Sequence, residues 1–519
     1  MPRLLLLYAC ALSLFSQPQP PPPNRPKLIV ALVIDQFRYD YLVRFRGDFH
    51  YGLARLLEQG AVFTNAHHEF FPTVTAIGHT TFMTGAAPSV TGIVGNEWYD
   101  RAAKTSVTCV SDASTQLIGG VPGAIGSSPR RLLVDTFPDE LKLSGQASKV
   151  IGISIKDRGA ILPAGHQADA AYWFDSDSNQ FVTSSYYMLQ LPEWVTAVNA
   201  SRPAGKYLGV SWFPFDAKPG DKPFCTMVAG AELRYCGSIE ATAFGNELLE
   251  DFAERALVNE KLGQHEGIDV LLLSLSSNDY VGHAVGPDAP EVRDISIRTD
   301  QLLGKLFDLI DERVGKGNTF VVLTADHGVV PVPEENQKRK MPGGRLDSAA
   351  LKQALETALS SRFGRGQWVA YESGGGYYLN YDTVAKWKAD KAEAVRIAAE
   401  TARAFPHIAR VFTRDGLLRG EGGADPVGRA VTLGFYPPRA ADLVALPEPY
   451  YIFSASGTSH STPYIYDTHV PIIFYGAGIG SGVYHERVVV SDIAATLAAL
   501  FQTEPPSGAS GRVLPHIVK

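Results

Sequence analysis

The sequence has no excess of positive charge, since its formal net charge is -7. A mildly acidic chain binds nucleic-acid backbones poorly, so we exclude nucleic acid as a partner. A small phosphorylated substrate is not excluded, because one local positive pocket would be enough to bind it. The length of 519 residues suffices for a large core, in several domains or in one heavily decorated domain.

Long apolar segments are also lacking after the N-terminus, where no uninterrupted run reaches the about 18 residues of a membrane-spanning helix. We therefore predict no transmembrane span in the mature protein. The N-terminal MPRLLLLYACALSLFSQPQPPPP has a short positive region, an apolar core and then small or polar residues, a pattern typical of a secretory signal. We predict a signal peptide over residues 1–17, a proline-rich linker over 18–26 and a periplasmic or secreted product. A buried terminal helix and lipidation of Cys10 are the alternatives.

Cysteine is scarce, with four residues in the chain. Cys225 and Cys236 close a short loop, FCTMVAGAELRYC, and an oxidising compartment favours a disulfide between them. Cys109 is then left over, and we expect it to be a buried free thiol.

Four segments are apolar throughout instead of alternating with polar residues. They are KLIVALVID (27–35), IDVLLLSLSSND (268–279), NTFVVLTADHG (318–328) and HVPIIFYG (469–476). Continuous apolar runs suit strands that are covered on both faces, as in a parallel sheet. Helical spacing lies between them, as at Leu302, Leu306 and Ile310, so the sequence predicts an α/β layered fold.

Two regions break this alternation. Residues 163–240 are rich in Trp, Tyr, Pro and Gly, and residues 330–455 combine Gly/Pro-rich loops with two helical patterns. We interpret both regions as insertions above the sheet, and not as further core strands.

Three of the apolar runs end in acidic residues, namely Asp35, Asp279 and Asp326, the last followed by His327. Ligands of open α/β sheets gather at the carboxyl ends of the strands. A single acid at such a place is commonly a helix cap, but crowded carboxylates repel one another and resist desolvation. A divalent cation removes that cost, so we predict a metal site at this edge.

Histidines extend this acidic set. Asp279 and His283 are four residues apart and share a face of a helical turn, and His460 is a further candidate. Mixed Asp/His ligation without cysteine suits zinc in an exported enzyme.

The ordered motifs VIDQF, PTVTAIGHTTFMTG, GIVGN, SIKDRGA, SNDYVGH, TADHG and TSHSTPYIYDTHVPIIFYG resemble those of the alkaline phosphatase superfamily. The chain is most similar to its bacterial phosphate-monoesterase branch with a threonine nucleophile, the PafA-type and Sphingomonas-type alkaline phosphatases. The resemblance implies a three-layer α/β sandwich with a mostly parallel central sheet, in one catalytic domain over residues 27–519. The insertions would form a cap.

The resemblance also implies two zinc ions per subunit. One zinc site would be held by Asp279, His283 and His460. The other would be held by Asp35, Thr75, Asp326 and His327. His460 is preferred over His469, which abuts the last apolar strand.

Thr75 stands where the family has its nucleophile, at the start of a helix-compatible run. Coordination to zinc would lower the pKa of its hydroxyl, and a phosphothreonine would form. Thr73 follows Pro72 and is interpreted as a structural residue, and His79 as a packed residue inside the helix.

Three further residues would bind the phosphoryl oxygens. Lys156 and Arg158 in SIKDRG would alternate to one side of an extended segment, and Asn96 in GIVGN would donate an amide hydrogen. Asp157 is expected to point away from the site.

The resemblance therefore predicts a zinc-dependent alkaline phosphatase that hydrolyses phosphate monoesters. The alternatives are a type I phosphodiesterase/nucleotide pyrophosphatase of the same superfamily and a non-catalytic exported protein that binds phosphate or metal. The charges of Lys156 and Arg158 favour a dianionic monoester. A sulfatase is excluded, because TVTAIGH lacks its C/S-x-P-x-R pattern. The sequence leaves the oligomeric state open, with a monomer as the simplest case.

Overall fold

The computed structural model describes residues 25–145, 147–228 and 236–518. The predicted signal peptide, Cys10 and most of the predicted linker lie outside the described residues. The strands, in chain order, are β1 (Leu28–Ile34), β2 (Ala61–His67), β3 (Glu97–Asp100), β4 (Thr105–Thr108), β5 (Ser111–Ile118), β6 (Ile125–Ser127), β7 (Val150–Ser154), β8 (Ala170–Asp175), β9 (Gln180–Ser184), β10 (Ser211–Trp212), β11 (Cys225–Thr226), β12 (Asp269–Leu275), β13 (Thr319–Thr324), β14 (Gly344–Arg345), β15 (Val369–Ser373), β16 (Gly376–Leu379), β17 (Ile408–Thr413), β18 (Leu443–Pro447), β19 (Tyr451–Ile452), β20 (His469–Gly476), β21 (Gly482–Tyr484) and β22 (Val488–Val489).

The helices connect these strands and cover their faces. The α-helices are α1 (Tyr39–Arg44), α2 (Gly52–Gln59), α3 (Thr75–Thr84), α4 (Pro88–Thr91), α5 (Phe137–Leu143), α6 (Asp157–Ala164), α7 (Glu193–Ala200), α8 (Ala243–Asn259), α9 (Ser277–Val285), α10 (Pro290–Arg313), α11 (Pro333–Lys338), α12 (Ser348–Phe363), α13 (Tyr381–Lys386), α14 (Lys391–Arg403), α15 (Arg414–Leu418), α16 (Pro426–Leu433), α17 (Ile465–Thr468) and α18 (Asp492–Phe501).

A twelve-stranded mixed sheet forms the centre of the described part of the chain, in the order β21-β2-β20-β13-β1-β12-β7-β8-β9-β5-β6 with β22 beside β2. The strands from β13 to β8 are parallel to one another. All seven residues of β1 are buried, because helices cover both faces of the sheet. One group of packed helices contains α2, α8 and α10, and the other contains α3, α5, α6 and α18. The predicted α/β layered fold is therefore confirmed.

The flanks of the sheet differ from the expected pattern. The apolar run of β20 was expected to be parallel, but it pairs antiparallel with both β13 and β2. The chain enters β20 from α17, at the edge where β13 ends, so the strand must run back across the sheet. The sheet is thus parallel in its centre and largely antiparallel at its flanks.

The first predicted insertion, residues 163–240, includes two strands of the central sheet and is therefore shorter than predicted. The segment AAYWFD of β8 pairs in parallel with β7, and β9 pairs with β8, so residues 170–184 belong to the central sheet. Its aromatic residues are buried core side chains, whereas we had interpreted the Trp/Tyr-rich composition as a surface insertion. Later in this region, Cys225 and Cys236 form the predicted disulfide. Cys109 is free and buried, as expected.

The second predicted insertion forms a separate layer that we call the cap. Its four strands are in the order β15-β16-β18-β17, and α12 and α14 pack against them. The cap has its own apolar core, which includes Leu355, Trp368, Tyr377 and Ala398. A second sheet with a second core fits the interpretation of this region as an insertion.

Among the described helices, none combines the length and the apolar character needed to cross a bilayer.

Candidate active site

Three buried carboxylates meet at one edge of the central sheet. Asp35 directly follows β1, Asp279 lies in the first turn of α9 after β12, and Asp326 follows β13. These three strands are neighbours and parallel, and the register pairs Ile34 with Leu275, so their carboxyl ends coincide. The structure thus brings together the acids that the sequence placed at strand ends.

One group of ligand atoms lies between β1 and β13. The Nε2 atom of His327 is 3.6 Å from Asp35 Oδ1 and 3.4 Å from Asp326 Oδ2. All three atoms are buried, and none has a hydrogen-bond partner among the residues that the structure describes. Buried polar atoms without partners are costly, and a divalent cation among them would satisfy all three. The residues therefore fit a metal ion.

A second group lies at α9 and the loop before α17. Asp279 Oδ1 is 3.2 Å from His283 Nε2 and 3.8 Å from His460 Nε2. His283 follows Asp279 by one helical turn, as the sequence predicted. Asp279 is also close enough to Asp35 and His327 to serve a common ion with them, so this carboxylate lies at the junction of both groups.

The three histidines present their Nε2 atoms for the same reason. The Nδ1 atom of each ring donates to a backbone carbonyl: His283 to Thr458, His327 to Gly328 and His460 to Thr73. In its neutral form, a ring held by this bond carries a free lone pair on Nε2. Burial lowers the pKa of His283, but the Asp279 carboxylate outweighs burial and raises the pKa. Burial lowers the pKa of His327 and, more strongly, that of His460, which helps to keep both rings neutral.

The electrostatics of the three acids favour the binding of a cation. Burial and the neighbouring carboxylates of Asp326 and Asp279 raise the pKa of Asp35 well above its usual value, against the lowering effect of Lys156. The ionised form of Asp35 is disfavoured because two more acids lie beside it. A bound cation would remove this repulsion.

Lys156 lies deeper than the resemblance implied. Its ammonium is 2.5 Å from Asp35 Oδ2, 2.6 Å from Asp279 Oδ2 and 3.4 Å from Thr75 Oγ1. Burial alone lowers the pKa of Lys156, but the two carboxylates outweigh it and raise the pKa. The ammonium therefore contributes positive charge among the acids, directly beside the predicted nucleophile.

Thr75 is the first residue of α3, and Val74 occupies the N-cap position without a side-chain capping bond. The Thr75 hydroxyl is therefore not a helix cap. Helix α3 lies very close to Asp326, because a Cβ atom at Gly78 would be only 2.1 Å from the Asp326 carbonyl oxygen. Glycine at this position allows the predicted nucleophile to approach the carboxylates.

The neighbouring residues of Thr75 have structural contacts. Thr73 donates its hydroxyl hydrogen to the Thr462 carbonyl. The Nδ1 atom of His79 bonds the Thr75 carbonyl, and its Nε2 atom bonds the Ser274 hydroxyl. His79 is thus packed and hydrogen-bonded within α3.

Asn96 and Arg158 line a cavity of about 540 Å³ that borders His460. The Ala76 amide donates to Asn96 Oδ1, which turns the amino group of the carboxamide into the available donor. The Nε atom of Arg158 is buried and has no hydrogen-bond partner. Both groups can therefore donate hydrogen bonds to an anion in this cavity.

We predicted that Lys156 and Arg158 lie along an extended strand, and the structure differs from this prediction. Strand β7 ends at Ser154, and α6 begins at Asp157, so the two basic residues lie on a strand-to-helix turn. Asp157 does not point away from the site: it lines the same cavity and accepts a hydrogen bond from the Ser127 hydroxyl. Alternation along a strand was the wrong geometry for this motif.

His469 lies apart from these ligand groups. Its ring stacks on Tyr39 and on His67, each with a centroid distance of 4.7 Å, and its Nε2 atom donates to the Thr64 carbonyl. The His460 ring instead stacks on His327 at 3.6 Å. The structure places His460, and not His469, among the candidate ligands.

Sequence reasoning missed Gln36. Its backbone amide donates to Asp326 Oδ1 at 3.0 Å, and its side-chain amide donates to Asp279 Oδ1 at 2.6 Å. Gln36 thus connects the acid that follows β13 with the acid in α9. Its backbone has a left-handed conformation, with a φ of 59°. Its position directly after Asp35 was the only signal in the sequence.

Comparisons with known proteins identify the family of this chain. Residues 29–469 match the family described as type I phosphodiesterase / nucleotide pyrophosphatase. The chain belongs to this family, within the alkaline phosphatase superfamily.

Curated relatives cover almost the whole chain. Alkaline phosphatase PafA of Elizabethkingia meningoseptica is 34% identical over 95% of this chain and 95% of its own length. Alkaline phosphatase PhoV of Synechococcus elongatus is 36% identical over 95% of this chain and 93% of its own. The crystal structure of PafA has a TM-score of 0.88 at 33% identity and covers 95% of this chain and 99% of that chain. PafA has also been solved as a variant that is substituted at one threonine, one asparagine, one lysine and one arginine.

Proposed function

We propose that this chain is a metal-dependent alkaline phosphatase that hydrolyses phosphate monoesters through a phosphothreonine on Thr75. One observation carries the proposal: the hydroxyl of a buried threonine at a helix start contacts Lys156, which also binds two of the clustered acids, beside a cavity with cationic and amide donors. The relatives PafA and PhoV are both named alkaline phosphatases, which supports the same activity here.

The metal centre that we propose contains two zinc ions. One would be held by Asp279, His283 and His460, and the other by Asp35, Thr75, Asp326 and His327. Zinc would supply Lewis acidity that activates the nucleophile and stabilises the departing oxygen. Oxygen and imidazole ligands without cysteine support this choice of metal.

The residues of the chain would perform the following steps. The Thr75 oxygen attacks phosphorus, the bond to the leaving oxygen breaks, and water later cleaves the phosphothreonine to release phosphate. The Lys156 ammonium, 3.4 Å from this oxygen, favours its deprotonated form. Arg158 and Asn96 would donate to the non-bridging phosphoryl oxygens.

A PafA variant supports these roles. The substituted threonine and asparagine of that variant are 21 positions apart, and so are Thr75 and Asn96. Its substituted lysine and arginine are two positions apart, and so are Lys156 and Arg158. The same four residue types therefore occur in the same order.

The second candidate is a type I phosphodiesterase, which the family match favours. A diester presents one fewer charged oxygen than a monoester, so it has less need for Arg158. The third candidate is a non-catalytic protein that binds phosphate or metal. Hydrolysis of a phosphate ester by the purified protein would exclude this candidate.

The Arg158→Ala variant distinguishes these activities. We expect kcat/KM for p-nitrophenyl phosphate to fall about 30-fold or more, because two charge-assisted hydrogen bonds to the dianion are lost. The value for bis-p-nitrophenyl phosphate should change by less than about threefold. Equal losses on both esters would contradict the monoesterase role, and absence of turnover by the wild-type protein with zinc would reject the enzyme.

The choice between two histidines is tested by metal analysis. We expect His460→Ala to weaken zinc binding by more than about 100-fold, since a direct ligand is lost. The matched variant His469→Ala should retain wild-type zinc content, because its ring stacks on Tyr39 and His67. Mass spectrometry of the dialysed proteins measures the zinc content of both variants. A lower zinc content in His469→Ala than in His460→Ala would show that His469 is the ligand.

We also propose export to the periplasm or the medium, with a signal peptide over residues 1–17, a linker over 18–26 and one catalytic domain over 27–519. The disulfide between Cys225 and Cys236 supports an oxidising compartment.

A further inference from the structure

The cavity beside Arg158 is larger than a phosphate group requires. It extends from Asn96, Arg158 and His460 into the cap and has a volume of about 540 Å³. Pockets of roughly 300–1,000 Å³ accommodate organic ligands of appreciable size. Most of this space must therefore hold something other than the phosphoryl group.

Part of the cavity lining is apolar, and we call this part the cap pocket. Its lining side chains are Phe71, Tyr378, Phe412, Leu417, Val431 and Phe435. Such a surface binds apolar and aromatic groups, and it offers few partners for the hydroxyl groups of a polar alcohol.

Tyr378, Arg414 and Glu97, which line the cavity, each have a hydrogen-bond partner in the protein. The Tyr378 hydroxyl donates to the Arg439 carbonyl, which leaves the ring as the surface of the pocket. Arg414, which also lines the cavity, donates from Nε to the Pro437 carbonyl. Glu97 accepts a hydrogen bond from the Tyr371 hydroxyl. Glu97 and Asp157 carry negative charges in the same lining, and Arg414 carries a positive one, so the charges beside the apolar side chains are mixed.

We propose that the cap pocket binds an aromatic leaving group, so that the preferred substrates are aryl phosphate monoesters. This inference rests on the proposed monoesterase function and adds a substrate class to it. With the phosphoryl group between Arg158 and Asn96, the ester oxygen links the polar part of the lining to the apolar part. Binding energy from the ring then distinguishes aryl phosphates from phosphates of small polar alcohols.

The experiment compares 1-naphthyl phosphate with glycerol 2-phosphate in variants of the partly buried lining residues Phe435 and Leu417. In Phe435→Ala and in Leu417→Ala, we expect kcat/KM for naphthyl phosphate to fall about tenfold, with that for glycerol phosphate within about twofold of wild type. Each substrate is compared with itself across variants, so the intrinsic reactivity of the leaving group cancels. Phe405→Ala is the control, because Phe405 is partly buried, packs against the cap core that includes Leu355 and Trp368, and does not line the cavity.

Binding is measured separately from turnover. Wild-type protein with zinc should bind phenylphosphonate about tenfold more tightly than methylphosphonate, and Phe435→Ala should remove most of this difference. Calorimetry measures this difference in affinity even if the protein hydrolyses neither ester. Absence of hydrolysis would reject the proposed function, and the binding result would still decide the cap-pocket proposal. Equal losses on both esters, or no preference for phenylphosphonate, would overturn the cap-pocket proposal. A loss confined to bis-p-nitrophenyl phosphate would also overturn it, because the pocket would then hold the second ester group of a diester.

Discussion

Replacing Thr75 with alanine is expected to lower kcat for phosphate monoesters by about 10⁴-fold or more, since the variant has no oxygen to accept the phosphoryl group. The fold should persist, because the Thr75 hydroxyl caps no helix and its one hydrogen-bond contact is a long one with Lys156. Thr75→Ser should retain measurable activity, because serine keeps a hydroxyl at the same place.

The proposed phosphothreonine would supply an independent readout. Wild-type protein that is mixed with a phosphate monoester and quenched in acid should carry phosphate on the peptide that contains Thr75, as detected by mass spectrometry. Thr73→Ala is the matched control, since its hydroxyl bonds the Thr462 carbonyl instead of facing the acids. Retained phosphorylation and turnover in Thr75→Ala would show that another group is the nucleophile.

Much of the fold could be predicted because the central strands are buried on both faces. Strands β1, β12 and β13 appear in the sequence as unbroken apolar runs, and their ends mark the edge where Asp35, Asp279 and Asp326 meet. Burial on two faces removes the alternation of apolar and polar residues, and that absence is itself a signal. The positions of the three acidic candidate ligands could therefore be predicted from the ends of the strands.

The errors concern properties that composition does not encode. The direction of β20 depends on where the preceding chain leaves the cap, and the same apolar run suits a parallel or an antiparallel strand. The AAYWFD run of β8 is just as buried, but its aromatic residues resembled those of a surface insertion. Composition can thus indicate a strand without indicating its neighbours.

Details of the site depend on contacts between distant segments. Gln36 contacts Asp326 and Asp279, which are 290 and 243 positions away in the chain. The depth of Lys156 likewise depends on a turn between β7 and α6, which places its ammonium between two carboxylates. Residue types and order identified the set of groups, but only the folded chain shows which of them touch.

The Asp279→Asn variant should have the widest effect of any single ligand change, because Asp279 lies at the junction of both ligand groups. This carboxylate faces His283, His460 and Lys156, and burial alone would raise its pKa, but these positive or protonatable neighbours hold the pKa well below its usual value. These neighbours therefore favour the ionised form of Asp279. An amide has no charge to offer, so we expect both zinc ions to bind weakly and kcat to fall by about 10³-fold or more.

Thermal unfolding with and without zinc separates loss of metal from loss of fold. Wild-type Tm should rise by several degrees when zinc is added to the chelated protein, since a ligand that binds only the folded state stabilises it. The Tm of Asp279→Asn should not respond. Asp300→Asn is the control: this buried carboxylate accepts backbone hydrogen bonds from Leu53 and Ala54 at the start of α2, so its loss should lower Tm but preserve the response to zinc. A normal zinc response in Asp279→Asn would mean that the metal centre does not depend on this carboxylate, and the assignment of both ligand groups would then be wrong.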